Sequence, residues 1–352
     1  MTNGNREGTR LSEYGPEDLL RSPEVRSDDF IRGELGSYMR GTASIHIVMA
    51  AVNLDLFSHT SSPITSAELC SILHTDPDLT EMLCGSLVQL NLLIKNDDTY
   101  INSKTSGLYL DSSSPAYQKS NLETILEKLN KWNDLENRLR NGPEYRPREQ
   151  VMGEKWLRSI SESCMGGGIG CVVDEIAKHV DLSAYRTFMD LAGGHGLYTI
   201  AICHRYPNLK GYVFDQPMMR EIAEENFRRY GKDIEYIAGD FYKDEIGVYD
   251  IVFSSFNLAT TDIRMCDKVF DSVADGGLLI LRRHTKRTTT DQISNLEWSL
   301  NTWDGKGKKN YGGCWLPTAE QYVDRLIERG MNLIHRADFD AGSELIILKK
   351  PA

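Results

Sequence analysis

Residues 187–196 read TFMDLAGGHG: a short β-rich run, an acid, and then Gly193, Gly194 and Gly196 in close succession. Such a stretch is a strand that ends in a sharp turn, where glycines let the backbone approach a ligand and the next helix presents its N-terminus. Four similar runs follow, KGYVFDQP (210–217), IEYIAGDF (234–241), YDIVFSSF (249–256) and GGLLILRR (276–283), with helical stretches between them. That alternation predicts an α/β fold with a doubly wound parallel sheet. HRADFD (335–340) and SELIILKK (343–350) predict a closing antiparallel pair, preceded by a helix from Thr318 to Arg329.

In an open parallel sheet the ligand sits beyond the carboxyl ends of the strands. Asp190 ends the first run, and Asp215 ends the second at about the distance where a dinucleotide fold places the acid that grips ribose hydroxyls. Asp240 and Phe241 end the third and offer an edge and a face for an adenine. The glycine run lacks the third glycine of G-x-G-x-x-G, which disfavours hydride transfer.

Upstream, apolar residues fall at helical spacing from about Ser37 to Phe57. Thr65 or Ser66 caps a second helix with Glu68 in its first turn, and Asp76-Pro77 opens a third. LLIKNDDTYINS then reads as a hairpin around Asn96-Asp97-Asp98, which completes a winged helix. Its second helix holds no arginine, and the chain of 352 residues carries a net charge of −11, so no nucleic-acid partner and no membrane partner is expected. Asn121 to Arg140 predicts one charged amphipathic helix, stopped by Asn141-Gly142-Pro143. A helical stretch from Trp156 to Val180 contains Cys164, Met165 and then three glycines, which predict a bend. The expected organisation is a loose arm over 1–30, a winged-helix-like domain over 31–115, connecting helices over 116–155 and an α/β domain over 156–352. A polar start and the lack of a run of ~20 apolar residues predict a cytoplasmic protein. Seven scattered cysteines, none spaced C-x-x-C, indicate neither a disulfide framework nor a metal site.

The motifs DLAGGHG, VFDQP, GDFY, YDIVFSSFNL and DGGLLIL, with the N-terminal LDLF, ITSAELCSIL and TYINSKTSGLYL, closely resemble the plant-type small-molecule O-methyltransferase family, which depends on S-adenosylmethionine (SAM). The resemblance spans roughly residues 35–350. It implies a class I SAM-methyltransferase, Rossmann-like fold behind a mainly α, winged-helix-like dimerisation domain, a homodimer, and SAM as cofactor with S-adenosylhomocysteine as product. It places Gly193, Gly194 and Gly196 along the methionine part of SAM, Asp215 at the ribose, Asp240 and Phe241 at the adenine, and Asp190 and Ser255 among the cofactor-binding residues.

The sequence departs from the family pattern in four places. Ala192 replaces the first glycine of D-x-G-G-G-x-G, Ser255 stands where relatives often have lysine, and Arg283 replaces an acid at the end of GGLLILR. The His-Asp pair that takes the acceptor's proton in relatives is here Ala259-Thr260, and neither is a base at pH 7. The accepting atom is therefore open among O, N, S and C. His284 is a substitute base candidate and Asp262 a weaker one, because imidazole titrates near neutrality. Trp298 and Trp303, in the segment LEWSLNTWDGKGKKNYGGCW (296–315), are candidates for walls of a substrate pocket. The expected activity is SAM-dependent methyl transfer to a small, aromatic or acidic molecule. The alternatives are a SAM-binding relative that does not transfer methyl, or a winged-helix regulator.

Overall fold

The computed structural model describes residues 15–17, 20, 26–147, 153–285, 291–302, 319–340 and 342–352. The chain divides into two compact units, Met1–Lys104 and Thr105–Ala352. Among the described residues, no helix is long and apolar enough to cross a membrane.

The first unit opens with a wide helical turn, Asp29–Leu35, that runs into α1 (Gly36–Asn53). After α2 (Leu56–His59) and the short strand β1 (Ile64–Thr65) come α3 (Ser66–Leu73) and α4 (Pro77–Gln89). The predicted caps form. Thr65 Oγ1 accepts from the Glu68 N–H at 3.2 Å while Glu68 accepts from the Thr65 N–H at 2.9 Å, the reciprocal pairing that satisfies two otherwise orphaned donors. Asp76 accepts from the Leu79 N–H, and Pro77 opens α4, where its missing N–H costs nothing. Strands β2 (Leu93–Asn96) and β3 (Thr99–Asn102) form the hairpin, and β1 adds to β3 to make a three-stranded sheet.

The second unit begins with α5 (Lys104–Tyr109), which spans the division, then α6 (Lys119–Trp132), α7 (Leu135–Asn141) and β4 (Glu144–Tyr145). The single helix expected over 121–140 is therefore broken at Asn133-Asp134, two poor helix formers. The break turns Arg138 inward, where its guanidinium donates to the Leu300 carbonyl at 2.7 Å and to Asn301 Oδ1 at 2.8 Å. The glycine bend forms as expected: α8 (Glu154–Cys164) and α9 (Gly168–His179) are separated by Gly166 and Gly167 at φ +85° and +106°, a backbone region that glycine enters without strain.

Beyond the bend, β5 (Thr187–Leu191), α10 (Leu197–Arg205), β6 (Lys210–Asp215), α11 (Arg220–Tyr230), β7 (Ile234–Ala238), β8 (Tyr249–Ser255), α12 (Cys266–Asp271) and β9 (Val273–His284) alternate as predicted. Helix α13 (Gln292–Ser299), β10 (Asn301–Thr302), α14 (Ala319–Glu328), β11 (Asn332–Asp338) and β12 (Ser343–Lys349) complete the described chain. The large sheet has the order β11-β12-β9-β8-β5-β6-β7. Five strands run parallel from β9 to β7, and β12 is inserted antiparallel between β9 and β11.

The sheet is covered on both faces, which is why its strands are nearly continuous apolar runs. Strand periodicity divides the side chains between two cores. Met189, Leu279, Leu281, Ile346 and Leu348 enter one cluster, and Phe188, Leu278, Ile280, Leu345 and Ile347 the other. Because β6 lies on one side of β5 and β8 on the other, the chain reverses its winding direction at β5. The turn after β5 therefore opens into a crevice that no crossover helix fills.

Candidate active site

A cavity of about 520 Å³ opens at that crevice, within the ~300–1,000 Å³ typical of small-molecule sites. Asp190, Gly193, Gly194, Asp215, Ser255 and His284, six of the residues singled out in the sequence, stand on its wall. The strand ends position them, and the glycine turn accounts for the close approach.

Asp215 ends β6 as the firmest fixed group. Its Oδ2 accepts from the Gly194 N–H at 2.8 Å and its Oδ1 from the Gln216 N–H at 2.6 Å, so the backbone orients both oxygens, and a carboxylate oxygen has lone pairs for more than one donor. Asp190 lies beneath the glycine turn, 1% exposed, and accepts from the Thr199 hydroxyl at 3.0 Å. Burial first, with a smaller push from the nearby Asp215 charge, raises its carboxyl to about 7. A Cβ on Gly193 would lie 2.4 Å from the Asp190 carboxyl carbon, so only glycine lets the turn close over this acid.

Gly196 does something else. It is not on the cavity wall; at φ +69° it starts α10, and a Cβ there would meet the Phe227 ring at 2.4 Å. Gly196→Ala is expected to destabilise the fold by about 2–4 kcal/mol, because backbone strain and overpacking against a buried ring add together. Chemical denaturation of the variant measures this, and a wild-type midpoint would contradict it. Ala192, where the family has glycine, also takes a left-handed conformation at φ +59° and its N–H donates to the Phe214 carbonyl at 2.7 Å. The turn keeps its shape with the smallest side chain, at a strain of ~1–2 kcal/mol.

Asp240 and Phe241, the residues expected at the adenine, are not on the wall of this cavity. Asp240 accepts from the Tyr242 N–H and pairs with Lys243, and Phe241 is 8% exposed within a hydrophobic core with Lys268 over its ring. A ring packed on its neighbours has little face left for a base.

Several wall residues carried no ligand signal in the sequence. His195, inside the glycine turn, is 5% exposed and burial lowers its imidazole to about 4. Its Nδ1 accepts from the Leu197 N–H at 3.1 Å, so the neutral ring carries its proton on Nε2, which faces Cys164 Sγ at 3.3 Å. Neither nitrogen is left to act as a base. Cys164, which burial holds above the ordinary thiol range, stays a thiol. Arg282 donates to the Tyr198 hydroxyl at 2.7 Å and to Asp340 at 2.8 Å, and lies over the Phe256 ring at 4.4 Å. Phe256 itself takes φ +54°, strain of the kind that concentrates at functional sites, and the bond from its N–H to the Arg282 carbonyl holds it there. Strand-end position, applied to β8 and β9 as it was to β5, would have found Phe256 and Arg282.

The base candidates separate clearly. His284 stands on the wall, its ring 4.3 Å from Phe256, and burial lowers its pKa against the opposing pull of a backbone hydrogen bond at Gly342, so it is neutral at pH 7. Asp262 is engaged by the Arg264 guanidinium, which holds its carboxyl below the usual range, and it is not on the cavity wall. Thr260 is buried with its hydroxyl on the Asn257 carbonyl at 2.8 Å, while the side chain of Ala259 lies outside the described residues. Arg283 points to the other face of the sheet and pairs with Glu344 at 2.7 Å. Trp298 is partly buried and off the wall, and Trp303 lies outside the described residues.

A family model for an O-methyltransferase domain matches residues 158–282, a stretch that contains most of this wall. This stretch is similar to the O-methyltransferase domain. An uncharacterized protein of Methanocaldococcus jannaschii is 29% identical over 341 residues, covering 93% of this chain and 90% of that one. The N,N-dimethyltransferase OxyT of Streptomyces rimosus is 24% identical over 341 residues, covering 90% and 96%. Human N-acetylserotonin methyltransferase in complex with SAM shares the fold, with a TM-score of 0.68 at 20% identity over 94% of this chain and 100% of its own. The fold class expected from the motifs is the one found, and the family they resemble is the one whose model matches residues 158–282.

Proposed function

We propose that this SAM-dependent methyltransferase presents the nucleophile of a small aromatic acceptor to the cavity wall beside His284, which takes the acceptor's proton. The observation that carries this reading is the pairing of a fixed cofactor cradle with the neutral imidazole of His284 on the same wall, while the family's own base position holds Ala259-Thr260.

The residues present fit SAM: Asp215 offers oriented carboxylate oxygens to a sugar diol, and the Gly193-Gly194 backbone leaves room for an aliphatic tail. When bound, SAM supplies an electrophilic methyl group on a sulfonium and leaves as S-adenosylhomocysteine. Asp190 and Asp215 give the crevice a negative field that favours such a cation. Trp156, Tyr198 and Phe256 give ring faces and Arg282 a cation, which suits a flat acceptor with partial negative charge. Holding the acceptor in line with the methyl supplies much of the acceleration, and a positioned base adds ~10²–10⁴-fold for a hydroxyl whose pKa is near ~10. OxyT, an N,N-dimethyltransferase, and the match to an O-methyltransferase domain support either nitrogen or oxygen as the accepting atom.

Methyl-labelled SAM incubated with the protein and a panel of phenols and aromatic amines tests the reading. For a phenol, His284→Ala is expected to lower kcat by ~10²-fold or more. Wild-type kcat/KM should rise with pH through a pKa below ~6.5 and then level, because the unprotonated imidazole is the active form. Unchanged kcat in His284→Ala with every turned-over phenol would remove His284 from the reaction.

The reading includes a cytoplasmic homodimer formed through a winged-helix-like first unit. The apolar side chains exposed along its opening helices, Phe30, Ile31, Leu35, Tyr38 and Met39, support a partner surface there.

A further inference from the structure

We propose that Glu175, His179 and His335 form a binding site for a divalent transition-metal ion, best matched by zinc, at the edge of the large sheet. None of the three stands on the wall of the cavity.

Glu175 and His179 are one helical turn apart on α9, so they share a face, and Glu175 Oε1 lies 3.2 Å from His179 Nε2. His335 arrives from β11, and its ring stacks on that of His179 with centroids 3.7 Å apart at 21°. One ligand atom from each residue can be chosen so that all lie within 4.8 Å of one another. Two imidazoles and a carboxylate are a donor set that zinc takes as three protein ligands, with the fourth position left to water. Zinc held at ~2.0–2.1 Å from each nitrogen would require one ring to rotate out of the stack.

The strand supplies an independent sign that His335 is aimed. The ladder between β11 and β12 slips at Ile334: Leu333 pairs with Leu348 and His335 with the adjacent Ile347. Two residues apart in a regular strand would share a face, and the bulge puts them on opposite ones, which sends His335 toward α9. Lys178 Nζ takes up the other Glu175 oxygen, Oε2, at 2.7 Å and leaves Oε1 directed at the histidines.

β11 is the outermost strand of the sheet, so the ion would fasten an edge to the helix that packs beside it. An ion bound only by the folded chain raises stability by mass action.

The experiment uses the full chain, stripped with a chelator and titrated with Zn²⁺ by calorimetry, with Co²⁺ visible absorption as a second readout. One site per chain is expected, with a rise in the thermal midpoint. His335→Ala and His179→Gln should each weaken binding ~100-fold, equivalent to about 2.8 kcal/mol, and remove the tetrahedral Co²⁺ bands. Cys171→Ser, at an exposed thiol one turn before Glu175, should change neither. Absence of stoichiometric zinc binding in the wild type overturns the site, as does binding that survives both histidine substitutions or depends on Cys171. His179 is on an exposed helix face, so should His335→Ala fail to fold, His179→Gln decides the matter alone.

Discussion

Asp215→Ala is expected to weaken SAM binding ~100-fold or more, measured by calorimetry on the purified chain. Two losses combine. A carboxylate bonded to a sugar diol makes charge-assisted hydrogen bonds, each worth ~1.5–3 kcal/mol. The same carboxylate accepts the Gly194 and Gln216 N–H groups, so its removal also frees the glycine turn that must lie along the cofactor's tail. Asp215→Asn separates the two effects in part: its amide oxygen still accepts one of these N–H groups, while the charge and the second acceptor are lost. An affinity for Asp215→Ala equal to that of wild type would contradict the ribose assignment and, with it, the placement of the cofactor. The thermal midpoint without SAM should fall only modestly, because Asp215 is partly exposed at a strand end.

Asp190→Asn is expected to split stability from binding. The folded-state pKa of Asp190 is raised, by burial first and by Asp215 to a lesser degree, from an ordinary 3.8 to about 7. A group of this kind contributes stability that is complete below its unfolded pKa and is lost as pH rises through the folded one. Over that window this single carboxyl removes stability on the order of 3–4 kcal/mol. Asparagine keeps an oxygen for the Thr199 hydroxyl and carries no charge, so the unliganded variant should be more stable than wild type at pH 8 and nearly level with it at pH 4. Binding goes the other way. A cationic ligand favours the ionised carboxyl, so wild-type affinity for SAM should rise with pH up to about 7, with proton release below it, and the variant should bind more weakly with a flat pH profile. Denaturation and calorimetry at pH 5, 7 and 8 check both halves; a variant that keeps the wild-type slope would show that Asp190 does not titrate in this range.

Much of the site was legible because strand-end logic requires only order along the chain. Asp190, Gly193, Gly194, Asp215, Ser255 and His284 all fall immediately after or at the end of β-rich runs, and a parallel sheet brings such positions to one edge whatever the loops between them do. The same logic proposed Asp240 and Phe241, which stand off the cavity wall. They too follow a strand, yet Phe241 is drawn into the core, and no local pattern distinguishes an aromatic that faces a ligand from one that fills a cavity beside Tyr242. Gly196 shows a second kind of limit: its glycine is demanded by the Phe227 ring on another helix.

Order and residue type along the chain were enough for the α/β class, the antiparallel closing pair, the caps of α3 and α4 and the identity of the carboxylate at the end of β6, because periodicity, capping and turn chemistry act over a few neighbouring residues. Long-range packing set the burial of Arg138 against Leu300 and Asn301, the tautomer of His195, the near-neutral carboxyl of Asp190 and the meeting of His179 with His335. Each of those depends on a partner or a burial supplied by residues remote along the chain, and desolvation and hydrogen-bond geometry exist only once the chain has closed on itself.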